Sequence, residues 1–290
     1  MAQRAGNATR SVVITGASTG IGAASALALD RAGWRVFAGV RRVEDGAALR
    51  QQASERLTPI ELDVADGAAI AAAAVTVGAA LGDAGLDGLV NNAGISVAAP
   101  LEFVPVAELR RQLEVNVTGQ VAVTQALLPL IRRARGRIVN MGSMSGVLAP
   151  PFLGPYAASK FAMEALTDCL RVELRPWGIA VVIIEPGGIA TPIWEKSLAA
   201  ADRLLEGMPQ LLFDYYGPVI KGMRRMVQRT GETGLPVRLV AEAVTNALTV
   251  RRPKTRYRIA KGGWLTRHVI AQLPDRTRDG LIAKRLPTYP

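Results

Sequence analysis

The chain has 290 residues and a formal net charge of +11, and 49% of its residues are apolar. Its single cysteine excludes an internal disulfide, which is typical of a reducing compartment. The length allows one large α/β domain that buries about three-quarters of its unfolded surface. Residues 1–10 lack the apolar run of a secretory signal, so we expect a cytoplasmic protein.

The positive charge is concentrated at the carboxyl end. Residues 251–290 carry eleven Lys and Arg against two Asp and Glu, whereas residues 1–250 carry 24 against 22. A basic tail can meet phosphate groups, an anionic membrane surface or an acidic partner, or it can be a solvated flank. It lacks a nucleic-acid-binding motif and interleaved aromatic residues, so no nucleic-acid partner is expected.

Short β-branched runs alternate with longer helical patterns along the chain. Strands are predicted at 11–15, 35–40, 58–62, 88–91, 136–142, 179–185 and 256–260. Helices are predicted at 20–32, 44–55, 67–81, 105–133, 156–175 and 237–250. This alternation predicts an α/β fold with βαβ units and a parallel sheet covered by helices on both faces. In such sheets ligands bind beyond the carboxyl ends of the strands.

Two segments need separate interpretation. Residues 67–82 are uncharged and Ala-rich, but they are shorter than the ~20 residues of a membrane span, so we expect a helix against the sheet and no transmembrane segment. Residues 191–235 are predicted to be an irregular insertion, because glycines and prolines interrupt a pattern rich in bulky apolar residues. Long connections of this kind are usually lids or binding loops.

A glycine-rich turn follows the first predicted strand and opens the first helix. Gly16, Gly20 and Gly22 stand there with the spacing G-x-x-x-G-x-G. Small residues let the backbone approach a pyrophosphate, which then lies at the positive end of the helix. The turn therefore predicts nucleotide binding. Within it, the residues predicted to bind cofactor are Gly16, Ser18, Thr19, Gly20, Ile21 and Gly22.

The end of the second predicted strand indicates which dinucleotide binds. An acidic residue there would bind the adenosine ribose and repel a 2′-phosphate, but this chain has Arg41 and Arg42. Guanidinium groups suit phosphate, although they can also begin a solvated helix. NADP(H) is therefore favoured, with Arg41 as its expected partner and NAD(H) as the alternative.

Two further strand ends contribute polar groups. Asp63, followed by Val64, can accept a hydrogen bond from the adenine amino group or cap the next helix. Asn91, Ala93 and Gly94 close the fourth strand, where small and amide residues can line the cofactor ribose.

Tyr156 and Lys160 are four residues apart, which places both side chains on one face of the helix predicted at 156–175. A lysine cation beside a tyrosine favours the phenolate, as a general acid/base for an alcohol or carbonyl requires. Lys160 is the first of only six lysines in a chain with 29 arginines, and arginine could not shift its pKa in this way. With one His and one Cys, no metal site is expected.

Ser143 and Asn116 complete the candidate catalytic set. Ser143 follows the fifth predicted strand, where its hydroxyl can hold a substrate carbonyl near Tyr156, and Ser145 is a lesser candidate. Asn116 lies in mid-helix, where an amide often marks a local distortion, and it could hold a water between Lys160 and solvent.

In their order along the chain, these motifs resemble the short-chain dehydrogenase/reductase family over about residues 11–191. The resemblance implies one Rossmann-type domain over 1–290 with about seven parallel strands. Its expected parts are a cofactor-binding half at about 11–142, a catalytic half at about 143–260, a substrate lid at 191–235 and a basic extension at 261–290.

The same resemblance implies a role for each matching residue. Tyr156 would be the acid/base, Lys160 its pKa partner and a ribose ligand, and Ser143 the group that orients the carbonyl. Asn116 would be the relay member. The segment expected to pack on the nicotinamide and hold its carboxamide comprises Pro186, Gly187, Ile189 and Thr191, with a second glycine at 188 as in some members.

These expectations combine into NADP(H)-dependent interconversion of an alcohol and a carbonyl. The apolar insertion favours a lipophilic substrate of retinoid, steroid or fatty type, unless its side chains only pack against one another. The alternatives are a 3-ketoacyl thioester reductase and a dinucleotide sensor without chemistry. The resemblance also implies a homodimer or homotetramer paired through the helices at 105–133 and 156–175.

Overall fold

The computed structural model describes residues 9–284. Most of the amino-terminal stretch expected to lack a signal, and the last six residues of the basic extension, lie outside the described residues. The strands are β1 (Ser11–Ile14), β2 (Arg35–Val40), β3 (Leu57–Glu61), β4 (Gly88–Asn91), β5 (Arg137–Met141), β6 (Ala180–Pro186), β7 (Ile189–Ala190), β8 (Leu235–Pro236) and β9 (Arg256–Ile259).

Seven of these strands form one parallel sheet in the order β3-β2-β1-β4-β5-β6-β9, and β7 pairs separately with β8. The predicted doubly wound sheet is thus confirmed, and all carboxyl ends of the seven strands lie at one edge. The strand order reverses between β1 and β4, and a crevice for a ligand opens at such a switch point.

Helices connect the strands. They are α1 (Gly20–Arg31), α2 (Ala47–Arg50), α3 (Gly67–Leu81), α4 (Val106–Leu113), α5 (Gly119–Ala134), α6 (Gly154–Glu173), α7 (Ile193–Glu206), α8 (Gln210–Thr233), α9 (Val237–Thr249), α10 (Gly263–His268) and α11 (Asp275–Ala283). Short 3₁₀ turns cover Val43–Gly46, Gly82–Ala84, Leu101–Phe103, Met144–Gly146, Arg175–Trp177 and Ile270–Gln272, and a π-helical turn covers Glu114–Thr118.

The sheet separates two apolar clusters because its side chains alternate between faces. Val12 and Ile14 of β1 pack with α1 and α9 on one face, while Val13 packs with α3 and α5 on the other. Within residues 9–284, the α3 region is the one helix long and apolar enough to cross a membrane by length and composition. Its inner face packs into the core through Ile70, Ala73 and Val77, as expected of a helix lying against the sheet.

The prediction of an irregular insertion at 191–235 is wrong, because α7 and α8 occupy most of it. Pro218 lies inside α8, where it removes only one backbone donor from a long helix. The two helices also support each other, since Arg224 of α8 donates two hydrogen bonds to the Asp202 carboxylate of α7, at 2.5 and 2.8 Å. An exposed ion pair contributes little, but Leu212 and Val219 of α8 are fully buried, and this packing offsets the helix-breaking residues.

Candidate active site

The turn between β1 and α1 depends on glycine geometry. Gly16 has φ +64° and Gly20 has φ +60°, a region in which side chains are strained. A Cβ at position 16 would also lie 2.8 Å from the Ala93 Cα. The turn therefore packs directly on the segment after β4, and the predicted Gly16, Ala93 and neighbouring residues come together at the switch point.

The amino terminus of α1 is open to an anion. Thr19 precedes the first residue of α1, and its side chain makes no capping hydrogen bond to the helix backbone. Within the described part of the chain, the first turn of α1 contains no acidic residue. The first N–H groups of a helix lack helical partners, and the helix dipole favours negative charge there. The residues present therefore fit the pyrophosphate of a dinucleotide. Lys196 of α7, which sequence reasoning missed, donates from Nζ to Thr19 Oγ1 at 3.0 Å.

The structure gives two neighbouring asparagines different roles, of which only Asn91 was predicted to contact the cofactor. Asn91 is 2% exposed, and its amide donates to Thr124 Oγ1 at 2.8 Å and to Asn140 Oδ1 at 2.9 Å. Its side chain therefore stabilises the core and does not line the ribose, contrary to expectation. Asn92 instead donates to the carbonyl oxygens of Thr15 and Gly16, at 2.9 and 3.1 Å. Successive side chains of a strand point to opposite sides, and motif position alone did not distinguish them.

The two arginines after β2 have different environments. Arg42 forms an exposed ion pair with Asp45 at 2.9 Å, and this hydrogen bond raises the pKa of the guanidinium. Arg41, by contrast, makes no hydrogen bond or ion pair within the described part of the chain. The free guanidinium is the one that was predicted to meet a 2′-phosphate.

Asp63 does not cap α3. Asp66 does so instead, because its Oδ1 accepts from the N–H groups of Ala68 at 2.8 Å and Ala69 at 3.3 Å. Asp63 Oδ1 accepts from the Ala65 N–H at 3.0 Å, which leaves its second oxygen for a ligand. Of the two interpretations of Asp63, the cap is therefore excluded. The neighbouring Val64 is buried.

Tyr156 and Lys160 share one face of α6, as their spacing predicts. Lys160 is 6% exposed, and its Nζ lies 5.7 Å from the centre of the Tyr156 ring. The ammonium also donates to the Met141 carbonyl oxygen at 2.7 Å, which anchors it to the end of β5. Burial lowers the pKa of Lys160 to about 8, because an apolar environment disfavours the charged form.

The pKa of Tyr156 shifts opposite to the sequence-based expectation. Burial raises it, and a hydrogen bond with the Ser143 side chain opposes that effect. The Lys160 ammonium, which donates to the Met141 carbonyl oxygen, does not reverse this direction. The phenol therefore retains its proton at neutral pH.

Ser143 lies at the end of β5, beside the phenol. It is 8% exposed, begins the 3₁₀ turn at Met144–Gly146, and accepts a hydrogen bond from the Ser145 N–H at 3.1 Å. Ser145 thus orients Ser143 through its backbone. The phenol and the Ser143 hydroxyl together form a pair of donors at the carboxyl edge of the sheet.

Asn116 lies in the π-helical turn, which confirms the predicted helix distortion. Its Oδ1 accepts from the Ile95 N–H at 2.8 Å, and its amide donates to the Ile95 carbonyl at 3.0 Å and to Ser159 Oγ at 3.1 Å. This side chain joins the loop after β4 to the helix that carries Tyr156. Both amide hydrogens are therefore in use within the protein.

The segment after β6 crosses the glycine turn. A Cβ at Gly20 would lie 3.6 Å from Thr191 Cβ, so the predicted nicotinamide segment does lie at the cofactor edge. The backbone N–H of Gly187 donates to the Ile259 carbonyl oxygen at 3.0 Å, which holds this residue against the end of β9. A Cβ at Gly188 would lie 2.8 Å from Thr230 Cγ2 of α8. The packing of α8 against this segment therefore leaves little room for a side chain at position 188. Pro186 and Ile189 are buried at either end of this pair of glycines.

An aromatic wall, which sequence reasoning missed, connects α8 to the catalytic region. The Tyr216 ring lies 6.0 Å from Phe152 and 6.1 Å from Phe103, both in edge-to-face geometry, and its hydroxyl bonds to the Glu102 carboxylate at 2.9 Å. Phe152 has φ +67° and lies just before α6, the helix that carries Tyr156. These residues are distant in sequence, so only the fold brings them together.

Comparison with known proteins agrees with this geometry. The sequence model of the short chain dehydrogenase family matches residues 10–202. A short chain dehydrogenase from Burkholderia cenocepacia J2315, solved in complex with NADP, is similar with a TM-score of 0.71 and 25% identity, over 95% of this chain and 97% of that one.

Three characterised relatives are similar over nearly the whole chain. An NADPH-dependent 3-dehydrocapnine reductase of Ornithobacterium rhinotracheale is 36% identical over 282 residues, 96% of this chain and 97% of that protein. The mitochondrial D-beta-hydroxybutyrate dehydrogenase of Bos taurus is 36% identical over 285 residues, 93% and 83% of the two chains. Retinol dehydrogenase 5 of Mus musculus is 35% identical over 289 residues, 95% and 88%.

One of these relatives is mitochondrial, so a cytoplasmic location stays a prediction for this chain. The family match and the fold identify the same family for this chain, and the arrangement of Tyr156, Lys160 and Ser143 agrees with it. The chain belongs to the short-chain dehydrogenase/reductase family of NAD(P)-dependent oxidoreductases.

Proposed function

We propose that this enzyme interconverts an alcohol and a carbonyl with NADP(H), and that Tyr156 is the general acid/base at the substrate oxygen. One observation carries the proposal: the Tyr156 phenol is hydrogen-bonded to Ser143 and lies one helical turn before the buried ammonium of Lys160. Two hydroxyl donors beside a cation can polarise a carbonyl and stabilise the charge that develops on its oxygen.

The pKa shifts favour Tyr156 as the proton donor for reduction. Because burial raises its pKa, the phenol holds its proton at neutral pH and donates it to the carbonyl oxygen that Ser143 orients. Lys160, with a pKa of about 8, is charged at pH 7 and stabilises the phenolate that remains. When bound, the nicotinamide supplies or accepts the hydride at the carbonyl carbon.

Reprotonation of Tyr156 requires a path from solvent, and we assign it to a water held near Asn116. The Asn116 amide already donates both hydrogens within the protein. The group left to hold such a water on this side chain is Oδ1, which accepts one hydrogen bond from Ile95 and has a second lone pair.

Two observations support NADP(H) as the cofactor over NAD(H). The helix terminus and glycines of the first turn suit the pyrophosphate of either dinucleotide, whereas the free Arg41 suits a 2′-phosphate. In addition, a relative over 96% of the chain is described as NADPH-dependent. The other residues proposed to hold the dinucleotide are Ser18, Ile21, Asp63, Gly94, Lys160, Pro186, Gly187, Ile189 and Thr191.

A lipophilic substrate is supported by the surfaces around Tyr156. The rings of Phe103, Phe152 and Tyr216 form an apolar wall next to α8, and ligand sites lined by aromatic side chains favour apolar ligands. One relative is named for retinol, whereas another is named for the small, polar hydroxybutyrate. We therefore propose a lipophilic substrate because of the aromatic wall, and we propose that α7 and α8 form a lid over that wall.

The test is an activity screen of the purified enzyme with NADPH and NADH on retinal, a 3-ketosteroid, a long-chain ketone and acetoacetyl thioesters. Turnover of a lipophilic carbonyl is expected. Tyr156→Phe should abolish turnover and leave NADPH binding intact, with Tyr257→Phe as the control for loss of a hydroxyl elsewhere. If Tyr156→Phe retains more than a few per cent of the wild-type kcat, Tyr156 is not the acid/base.

We also propose that two copies pair through the outer faces of α5 and α6. Val172 is 69% exposed on α6, and Phe161 and the neighbouring Trp177 are also exposed. Exposed apolar residues concentrated on one face are typical of an interface. Sedimentation is expected to give a dimer or tetramer at micromolar concentration, and a monomer would contradict this assignment.

A further inference from the structure

We infer that Lys196, on the lid helix α7, binds the pyrophosphate of the dinucleotide and thereby couples closure of the lid to cofactor binding. The inference rests on the proposed function, because it assigns one more residue to the same cofactor site. Its basis is a contact between parts of the chain 177 residues apart, in which Lys196 Nζ donates to Thr19 Oγ1 at 3.0 Å.

The position of Lys196 is set by packing at the base of the lid. A Cβ at Gly20 would lie 3.6 Å from Thr191 Cβ and 3.9 Å from Pro192 Cδ, so α7 begins directly above the glycine turn. The Trp194 indole donates to the Ile189 carbonyl at 2.6 Å and fixes the first turn of α7. Lys196 follows within that turn, which directs its side chain to the open end of α1.

Lys196 has no ion-pair partner among the described residues. Its hydrogen-bond acceptor, the Thr19 hydroxyl, is neutral. Its field nevertheless reaches the end of β2. The hydrogen bond from Arg42 is the main cause that lowers the pKa of Asp45, and the charges of Arg41 and Lys196 add to it. The ammonium thus contacts the glycine turn, and its charge acts on Asp45 together with that of Arg41.

An anion at the amino terminus of α1 would supply the missing partner. The free N–H groups and the ammonium would then bind it from two sides, and charge-assisted hydrogen bonds are the stronger kind. Because Lys196 moves with α7, the bound phosphate would hold the lid helices against the core. Coupling of this kind is reciprocal, so a closed lid would also tighten cofactor binding.

The experiment compares Lys196→Gln with the wild type by NADPH and NADH fluorescence titration. We expect the Kd of the variant to rise about five- to tenfold for both dinucleotides, as for loss of one charge-assisted hydrogen bond at an exposed site. Lys196→Arg should restore most of the affinity. The matched control is Lys221→Gln, since Lys221 is exposed on α8 of the same lid and, within residues 9–284, its side chain forms no hydrogen bond or ion pair with the glycine turn.

Hydrogen exchange gives a readout independent of turnover. NADPH should protect residues 193–206 in the wild type, and Lys196→Gln should lose about half of that protection or more. Unchanged Kd values in Lys196→Gln, with normal binding by the wild type, would overturn this inference alone. A loss confined to NADPH would also overturn it, because it would assign Lys196 to the 2′-phosphate. If the wild type binds neither dinucleotide, the proposed function itself fails.

Discussion

Glu164→Gln is expected to make the protein less sensitive to alkaline pH. Glu164 lies one turn after Lys160 on α6 and is 9% exposed. Its Oε2 accepts from Arg256 Nε at 3.1 Å, while its Oε1 is buried without a hydrogen-bond partner among the described residues. Burial, with a contribution from the nearby Glu185 charge, raises the pKa of Glu164 to about 7, from 4.5 in an ordinary environment.

The sign follows from proton linkage. The folded-state pKa is higher than the unfolded one, so this carboxyl contributes full stability below about pH 4.5 and loses it as the pH rises through about 7. With 1.36 kcal/mol per pKa unit, the loss between pH 5 and pH 8 is on the order of 2 to 3 kcal/mol. Glutamine has nearly the same shape and no titration. Relative to the wild type, the variant should therefore gain on the order of 2 to 3 kcal/mol over this interval, or roughly 4 °C in Tm.

The assay is thermal and urea unfolding of both proteins at pH 5, 6, 7 and 8, at one protein concentration. Asp168→Asn, one turn further along α6, is the control whose effect should not change over these four pH values. Burial opposes ionisation of Asp168, but hydrogen bonds from Arg171 and Arg256 outweigh it and lower the pKa from 3.8. That variant should therefore lose the same stability at pH 5, 6, 7 and 8, because the contribution of an ionised Asp168 disappears only at more acidic pH. A Glu164→Gln difference that is the same at all four pH values would refute the reasoning.

Three further outcomes are expected. Arg41→Asp should raise the Kd of NADPH about tenfold or more and leave the Kd of NADH nearly unchanged. Arg42→Asp should have a smaller effect, because Arg42 already forms an ion pair with Asp45. Equal losses of affinity for both dinucleotides in Arg41→Asp would exclude a 2′-phosphate contact. Wild-type affinity for NADPH should fall as the pH rises through about 8, where Lys160 loses its charge. Lys160→Met should bind NADPH weakly, with an affinity that does not change with pH. A decline of the same size in the variant would show that another group causes the pH dependence. Gly22→Ala should destabilise the fold by about 2 kcal/mol or more, because its Cβ would lie 2.3 Å from a backbone oxygen, whereas Gly78→Ala, whose Cβ has ordinary contacts, should be neutral or stabilising.

The amino-acid sequence by itself determined the sheet and the catalytic pair. The seven strands of the main sheet lie within about a residue of their predicted bounds, since β1, β2, β4, β5 and β6 are short apolar runs buried on both faces. Tyr156 and Lys160 share a face because a regular helix requires it at that spacing. Asn116 marked a distortion because an amide is a poor helix former in mid-helix, and a π turn is found there.

Tertiary structure alone decided the remaining features, because each depends on groups far apart in the chain. Glycines and prolines suggested an irregular lid at 191–235, yet α7 and α8 are helical there. They contact each other through Arg224 and Asp202, and α8 buries Leu212 and Val219. The pKa of Tyr156 rises because burial outweighs a neighbouring charge, and burial is a property of the whole fold. Lys196 meets Thr19 across 177 residues, and no local pattern encodes that contact. Local periodicity specifies elements and their order, whereas distances between elements and desolvation arise only when the sheet and its helices pack.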